Sequence, residues 1–316
     1  MFHSLEAKSI KLGLLFLLCL FHSCASSSPP KFDGKEAFDC LMDQCDLGPR
    51  NPESEGHERG KKYLLDKLRP YTNLVKTQEF VYEDVSQKTK LELTNIIASF
   101  YPEKKQRILL CAHWDTRPTA DRDPDSSLRK RPILGANDGA SGVAVLLEIA
   151  RIVSQKKTKW GVDIILFDGE DYGPEGELEK FCLGSKYFAK NKGDYKPEFG
   201  ILLDMIGDRN LNIYKEGYSA RYAQEVVDLV WGTAQKLKID CFNDSTKYFM
   251  YDDHIPLLEV GIPCIDLIDF DYPHWHTTQD TPDKCSSESL QKIGEVLIEI
   301  LYGDPSGIIK SSLKVQ

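Results

Sequence analysis

Four apolar runs of this 316-residue sequence end in acids and imidazoles or lead into them, where such side chains could bind a metal or move a proton. Ile108-Leu109-Leu110-Cys111-Ala112 is followed by His113-Trp114-Asp115. Residues 162–167, apolar except for Asp163, are followed by Asp168-Gly169-Glu170-Asp171, and Ile201-Leu202-Leu203 by Asp204. Residues 264–268 lead through a proline-containing loop to His274-Trp275-His276. Between the first two stretches, the small-residue turn Gly135-Ala136-Asn137-Asp138-Gly139-Ala140-Ser141-Gly142 sets Asp138 just ahead of a helix. Singly these have ordinary explanations: an Asp before a helix is usually a cap, and acids after strands are common turn residues. Together they form a set of carboxylates and imidazoles suited to zinc. Glu170 beside Asp171 adds a division of labour, with one carboxylate on the metal and its neighbour transferring protons. Metal-assisted hydrolysis and acyl transfer both use that arrangement.

These stretches converge only if they end neighbouring strands, because ligands of open α/β sheets bind beyond the carboxyl ends of the strands. The hydrophobic pattern predicts this. Strand-like runs at 74–81, 91–100, 107–112, 162–167, 200–205 and 262–268 alternate with helical stretches. The helices are expected at 32–47, 55–68, 142–153, 185–190 and 218–237, with a last one capped by Ser286-Ser287. The expected fold class is α/β, a single doubly wound domain over residues 35–305 whose central sheet is mixed, mostly parallel and flanked by helices.

Hydrophobic residues make up 41% and charged residues 28% of the chain, with 40 basic against 49 acidic side chains and a net charge of −9. That is apolar enough for a core and too well mixed for disorder. The absence of a Lys/Arg block argues against nucleic acid as a partner. Lys8 and Lys11 precede an apolar run at 12–21 that is too short for a bilayer but right for an export signal. Residues 1–23 are expected to be a signal peptide, 24–34 a tether and 306–316 a C-terminal tail. Cys24, with a small residue before it and a Ser/Pro stretch after it, resembles a bacterial lipoprotein cleavage site. The expected location is therefore the periplasm, with a lipid anchor at Cys24. Seven further cysteines, widely spaced and odd in number, do not make a disulfide scaffold. Residues 117–132 are polar and lie between two site segments. Their Asp121-x-Asp123-x-Asp125 alternation lacks the Gly and distal Glu of an EF-hand, so a flexible lid or rim is expected there.

The motifs His113-x-Asp115, Asn137-Asp138-Gly139-x-Ser141-Gly142, Asp168-Gly169-Glu170-Asp171, Leu203-Asp204, Asp253-His254-x-Pro256 and His276-Thr277-x-x-Asp280-Thr281 occur in the order found in the co-catalytic zinc aminopeptidase clan. Within that clan the chain resembles the zinc-dependent glutaminyl cyclases over nearly all of its mature length. The resemblance implies that Asp138, Asp171 and His276 hold one zinc ion and that Glu170 is the general acid/base. Trp275 ahead of His276, and Asp252 in the run Asp252-Asp253-His254, are cyclase-like features. By the same resemblance Asp252 and Asp204 share a proton so that only one metal binds, while Trp275, Tyr272 and His113 contact the substrate. Asp171 stands where the animal cyclases have Glu, and the Trp those enzymes carry shortly afterwards is absent, a pattern similar to bacterial cyclases of the animal type. The implied reaction is cyclisation of N-terminal glutamine, and weakly of glutamate, to pyroglutamate on peptides and proteins, by a monomer. In the aminopeptidases the positions of His113 and Asp204 complete a second metal site. A two-zinc aminopeptidase releasing N-terminal amino acids is therefore the alternative.

Overall fold

The computed structural model describes residues 28–303. Two helices come first, α1 (Gly34–Asp46), capped by the Asp33 carboxylate, and α2 (Glu55–Leu68), capped by Ser54. A ribbon of β1 (Val75–Asp84) and β2 (Thr89–Phe100) precedes β3 (Arg107–His113), α3 (Ala140–Gln155) and β4 (Gly161–Phe167). Then come α4 (Leu183–Asn191), β5 (Phe199–Asp204), β6 (Ile213–Lys215), α5 (Gly217–Tyr222), α6 (Gln224–Leu237) and β7 (Phe242–Thr246). The fold ends with α7 (His254–Glu259), β8 (Cys264–Ile268) and α8 (Ser287–Tyr302).

One six-stranded sheet runs in the order β1-β2-β4-β3-β5-β8. β4, β3, β5 and β8 are mutually parallel, while β1 and β2 pair antiparallel at one edge. This is the mixed, mostly parallel α/β sheet that the alternation of runs predicts. Strands buried on both faces read as continuous apolar runs, and their side chains still alternate between two cores. Ile108, Leu110 and Ala112 of β3 face the main core under α1, α3, α6 and α8. Leu109 and Cys111 face the smaller core with Phe188 of α4 and Leu257 of α7. The one acid inside β4, Asp163, takes both nitrogens of the Arg107 fork at 2.7 Å and a hydroxyl from Ser99. The parallel register sets His113 opposite Phe167 and Asp204 opposite Ile268, so four strand ends open on one edge of the sheet.

The structure departs from the sequence reading in several places. Packing begins before residue 35: Phe32 is buried against Gly294 of α8, where an added Cβ would meet its ring. The single helix expected at 218–237 is two, broken at Ala223 (φ −138°, ψ 39°). The two-stranded sheet of β6 and β7 was not foreseen, because strands of three and five largely polar residues leave no periodic signal. All seven cysteines among the described residues are free, and Cys111 and Cys264 are fully buried. The signal, the Cys24 anchor and residues 304–316 lie outside the described residues.

α5 starts on the Glu216 carboxylate, which accepts from the backbone N–H of Tyr218 and Ser219 and lies 3.1 Å from His254 Nε2. Burial pushes that carboxyl up, but His254 and the two N–H groups outweigh it and hold it at about 2, below its ordinary 4.5. A depressed folded-state value stabilises the fold above the unfolded value and is lost as pH falls through the folded one. Glu216→Gln is therefore expected to flatten the fall in the urea midpoint between about pH 4.5 and about pH 2, and to lower that midpoint near neutrality.

Candidate active site

His113 ends β3, Asp204 ends β5, and the chain beyond β4 continues into Asp168–Asp171. The loop after β8 brings Trp275 and His276, and Asp138 lies two residues ahead of α3. Two further carboxylates fix the backbones that carry these groups. Asp280 accepts from the N–H of Asn137 (2.9 Å) and of Asp138 (3.1 Å). Asp115 accepts from the N–H of Glu170 (3.1 Å) and of Asp171 (3.3 Å). Gly139 adopts φ 101°, and a Cβ there would stand 2.5 Å from the Asp115 carbonyl oxygen, so a larger residue would displace Asp138. Asp168 turns away, accepting from the Thr94 N–H at 2.6 Å and pairing with His57 Nε2 at 2.9 Å. Three non-glycine residues beside the site, Cys182, Met205 and His276, have φ between 45° and 55°. Each such conformation costs about 1–3 kcal/mol and persists only where the surrounding structure fixes it.

Ligand atoms of Asp138, Asp171 and His276 all lie within 4.8 Å of one another, and all three side chains are buried. His276 Nε2 is 3.4 Å from Asp171 Oδ1 and 3.8 Å from Asp138 Oδ2. Asp171 Oδ2 is buried with no hydrogen-bond partner among the described residues, which is costly for a carboxylate unless a cation faces it. Burial and the Asp171 charge push the Asp138 carboxyl up to about 6. Burial lowers His276, but Asp171 and Asp121 outweigh it and carry it up to about 9. Two carboxylates and one imidazole, leaving a fourth position open, are a donor set for catalytic zinc, and these residues fit it.

The segment 117–132 is a strut rather than a flexible lid. Arg117 is buried and donates to Asp171 Oδ1 at 2.6 Å, while its Nε and Nη2 donate to the Asp121 carboxylate. Asp121 Oδ1 is also 3.4 Å from His276 Nδ1, the nitrogen that faces away from the two ligand acids. Asp123 accepts from the Thr278 N–H and hydroxyl, and the Arg122 N–H donates to the His276 carbonyl. Arg117 and Asp121 thus orient two of the three ligands, a role that sequence reading missed. The acid alternation was the visible signal, and it marks side chains holding the His276 loop instead of calcium. Outer partners of this kind typically change metal affinity 10–100-fold. Asp121→Ala is expected to weaken zinc by roughly that factor in a chelator competition, with the far-ultraviolet spectrum unchanged.

The cleft over the triad is about 70 Å³, a space suited to one side chain rather than a length of peptide. Its floor is Asp138, Glu170, Asp171, Asp204 and Asp252, and its apolar wall includes Phe181, Met250, Tyr251, Phe270 and Trp275. Trp275 stacks on His276 with ring centroids 3.8 Å apart and meets the Phe270 ring edge-on at 4.8 Å. Tyr272, expected on this wall, is not on it. It is buried, and its hydroxyl donates to Asp280 Oδ1 at 2.7 Å, so it braces the Asp138 turn while Phe270 takes the wall position. A larger cleft of about 380 Å³ lies at the amino ends of the strands, beside Glu198 and Pro263, away from all these groups.

Burial, then the charges of Asp252 and Asp171, hold the Glu170 carboxyl well above its ordinary range, as suits a group that must take and return a proton. Burial, then Asp204, pushes Asp252 up to about 6. Among the described residues no hydrogen bond joins Asp204 to Asp252. Asp204 Oδ1 instead lies 3.2 Å from His113 Nε2, which is also 3.3 Å from Asp138 Oδ1. His113, expected against the substrate, is buried between two acids. Ligand atoms of His113, Asp138 and Asp204 also lie within 4.8 Å of one another, so the layout of a second metal site persists.

Residues 95–301 match the family model described as peptidase family M28. The Drosophila melanogaster glutaminyl-peptide cyclotransferase is 26% identical over 282 residues, which cover 81% of this chain and 75% of that one. The crystal structure of Bacteroides thetaiotaomicron glutaminyl cyclase bound to N-acetylhistamine superposes with a TM-score of 0.84 at 40% identity, covering 88% of this chain and 100% of that one. A second Bacteroides thetaiotaomicron structure, described as a leucine aminopeptidase precursor, superposes with a TM-score of 0.85 at 40% identity over 88% of this chain and 99% of that one.

Proposed function

The chain belongs to peptidase family M28, and from that premise we propose that it cyclises N-terminal glutamine of peptides and proteins to pyroglutamate, releasing ammonia. The observation that carries this reading is a proton-affine carboxylate outside the triad, Glu170, next to the Asp138–Asp171–His276 grouping in a cleft sized for one side chain. The glutaminyl cyclases among the relatives support it.

Ring closure needs the α-amine to attack its own side-chain amide carbon. Asp138, Asp171 and His276 would hold a zinc ion, which when bound would supply Lewis-acid polarisation of an amide carbonyl. Glu170 takes the proton the amine loses as the carbon–nitrogen bond forms, then delivers it to the departing nitrogen, which leaves as ammonia. Trp275 and Phe270 hold the side chain folded toward its own amine, a contribution of proximity. Asp252 stands within ligand distance of Glu170 and keeps that carboxyl's proton affinity high. We assign one zinc per chain, with His113 and Asp204 engaged with each other. N-terminal glutamate would close more slowly by the same route, and the enzyme acts as a monomer.

The second reading, a two-zinc aminopeptidase, is favoured by the His113–Asp138–Asp204 grouping. Mass spectrometry of a Gln-initiated peptide separates the two. Loss of ammonia from an otherwise intact peptide, with one zinc per chain by metal analysis, is the expected result. Release of a free first residue by a protein holding two metals would replace this reading. The basic and apolar start of the chain and Cys24 motivate the further proposal that the enzyme works in a bacterial periplasm on a lipid anchor. Palmitate labelling is expected in the intact protein and absent from Cys24→Ala; equal labelling of both would remove the anchor.

A further inference from the structure

A second donor set lies behind Glu170. Ligand atoms of Glu170, Cys182 and Asp252 lie within 4.8 Å of one another, and all three side chains are buried. The Cys182 thiol donates to Glu170 Oε1 at 3.5 Å, the only hydrogen bond to that carboxylate among the described residues. Asp252 is 5% exposed, lines the cleft, and accepts a single hydrogen bond, from the Asp253 N–H on Oδ1; its second oxygen is unpartnered among the described residues. Cys182 is also held in place: it has φ 55°, and its N–H donates to the Glu170 carbonyl at 2.9 Å. Zinc–sulfur and zinc–oxygen distances of about 2.3 and 2.0–2.2 Å give a tetrahedral S···O edge of about 3.5 Å, which is the spacing between Cys182 and Glu170, with Asp252 within 4.8 Å of both. One thiolate and two carboxylates, the two carboxylates lining the cleft, make a donor set for a thiophilic divalent ion.

We propose that Glu170, Cys182 and Asp252 form an inhibitory cation site, distinct from the zinc triad, that binds zinc or cadmium supplied in excess and takes Glu170 out of the reaction. The step is coordination alone: one metal–sulfur and two metal–oxygen bonds form as the thiol, and any carboxyl of the pair that carries a proton, release their protons to solvent, and no electron is transferred. The inhibition rests on Glu170 being the acid/base, but the binding does not.

The test titrates the one-zinc protein with Cd²⁺. Ultraviolet thiolate-to-cadmium absorption, bound metal per chain and cyclisation of a Gln-initiated peptide are read in parallel. One further equivalent, a thiolate band and a matching loss of turnover are expected. Cys182→Ala should abolish the band and weaken the further equivalent by about 10-fold or more, since a direct ligand matters at least as much as an outer partner. Asp252→Asn, which keeps the thiol, should weaken that equivalent too, and His113→Ala should leave both the band and the equivalent. No band in the parent protein, a band that survives Cys182→Ala, or a further equivalent lost in His113→Ala instead would overturn the proposal. A band without loss of turnover would overturn the inhibition. No cyclisation by the one-zinc protein before any cadmium is added would count against the proposed function and leave the binding result standing.

Discussion

Glu170→Gln is expected to lower kcat on a Gln-initiated peptide about 10²–10⁴-fold, the usual contribution of a positioned general acid/base. KM should change little, because Trp275 and Phe270 form the apolar wall of the slot and the substitution leaves the volume of its floor unchanged. The substitution keeps the volume and removes only the ability to carry a proton. It also removes a buried carboxyl whose ionised form burial and the neighbouring Asp252 and Asp171 oppose. The variant should therefore unfold at the same or a higher temperature than the parent, and it should keep its zinc, whose three ligands are untouched. That combination, a slower enzyme that is no less stable and fully metallated, separates a chemical role from a structural one. Unchanged turnover would remove Glu170 from the reaction, and lost zinc would make it a ligand.

What the sequence revealed was whatever depends on short spacings. The central strands are apolar runs buried on both faces, and their polar exits mark the carboxyl edge of the sheet without any knowledge of packing. Asp138, Glu170, Asp171, Asp204 and His276 follow from that logic and line one cleft, with His113 buried between Asp138 and Asp204 beside it. What stayed hidden depends on how distant segments meet. Arg117 reaches Asp171 across 54 positions, and the Asp280 carboxylate is set 143 positions from the Asn137 N–H it accepts. No local period encodes such pairings, so a strut looked like a loose loop. Tyr272 and Phe270 are two aromatic residues on one loop, and which of them reaches the cleft is decided by Asp280, whose buried carboxylate draws the phenol inward. The break at Ala223 is likewise invisible in the apolar stripe. It follows from Glu216 capping the short α5 while facing His254, 38 residues away.

Asp138→Ala should abolish turnover and the binding of the first equivalent of zinc, because Asp138 contributes to both groupings on the zinc-triad side of the cleft and its backbone is fixed by Asp280. Losing a metal that supplies several kcal/mol of transition-state stabilisation corresponds to about 10³-fold or more in rate. The same substitution has an opposite effect on the metal-free protein. Asp138 crowds Asp171 and Asp204 in a buried site, so removing it relieves repulsion, and the metal-free variant should melt above the metal-free parent. With zinc the order reverses. A ligand at a thousand times its dissociation constant stabilises the native state by about 4 kcal/mol, an effect open to the parent and closed to the variant. Melting curves with chelator and with zinc should therefore cross over between the two proteins. His113→Ala gives the contrast that fixes the stoichiometry: it should keep one equivalent of zinc and the zinc-dependent rise in Tm. If His113→Ala instead loses one of two bound equivalents, the cleft holds a metal pair and the single-zinc assignment falls. If Asp138→Ala still binds zinc and turns over, neither grouping is the metal site.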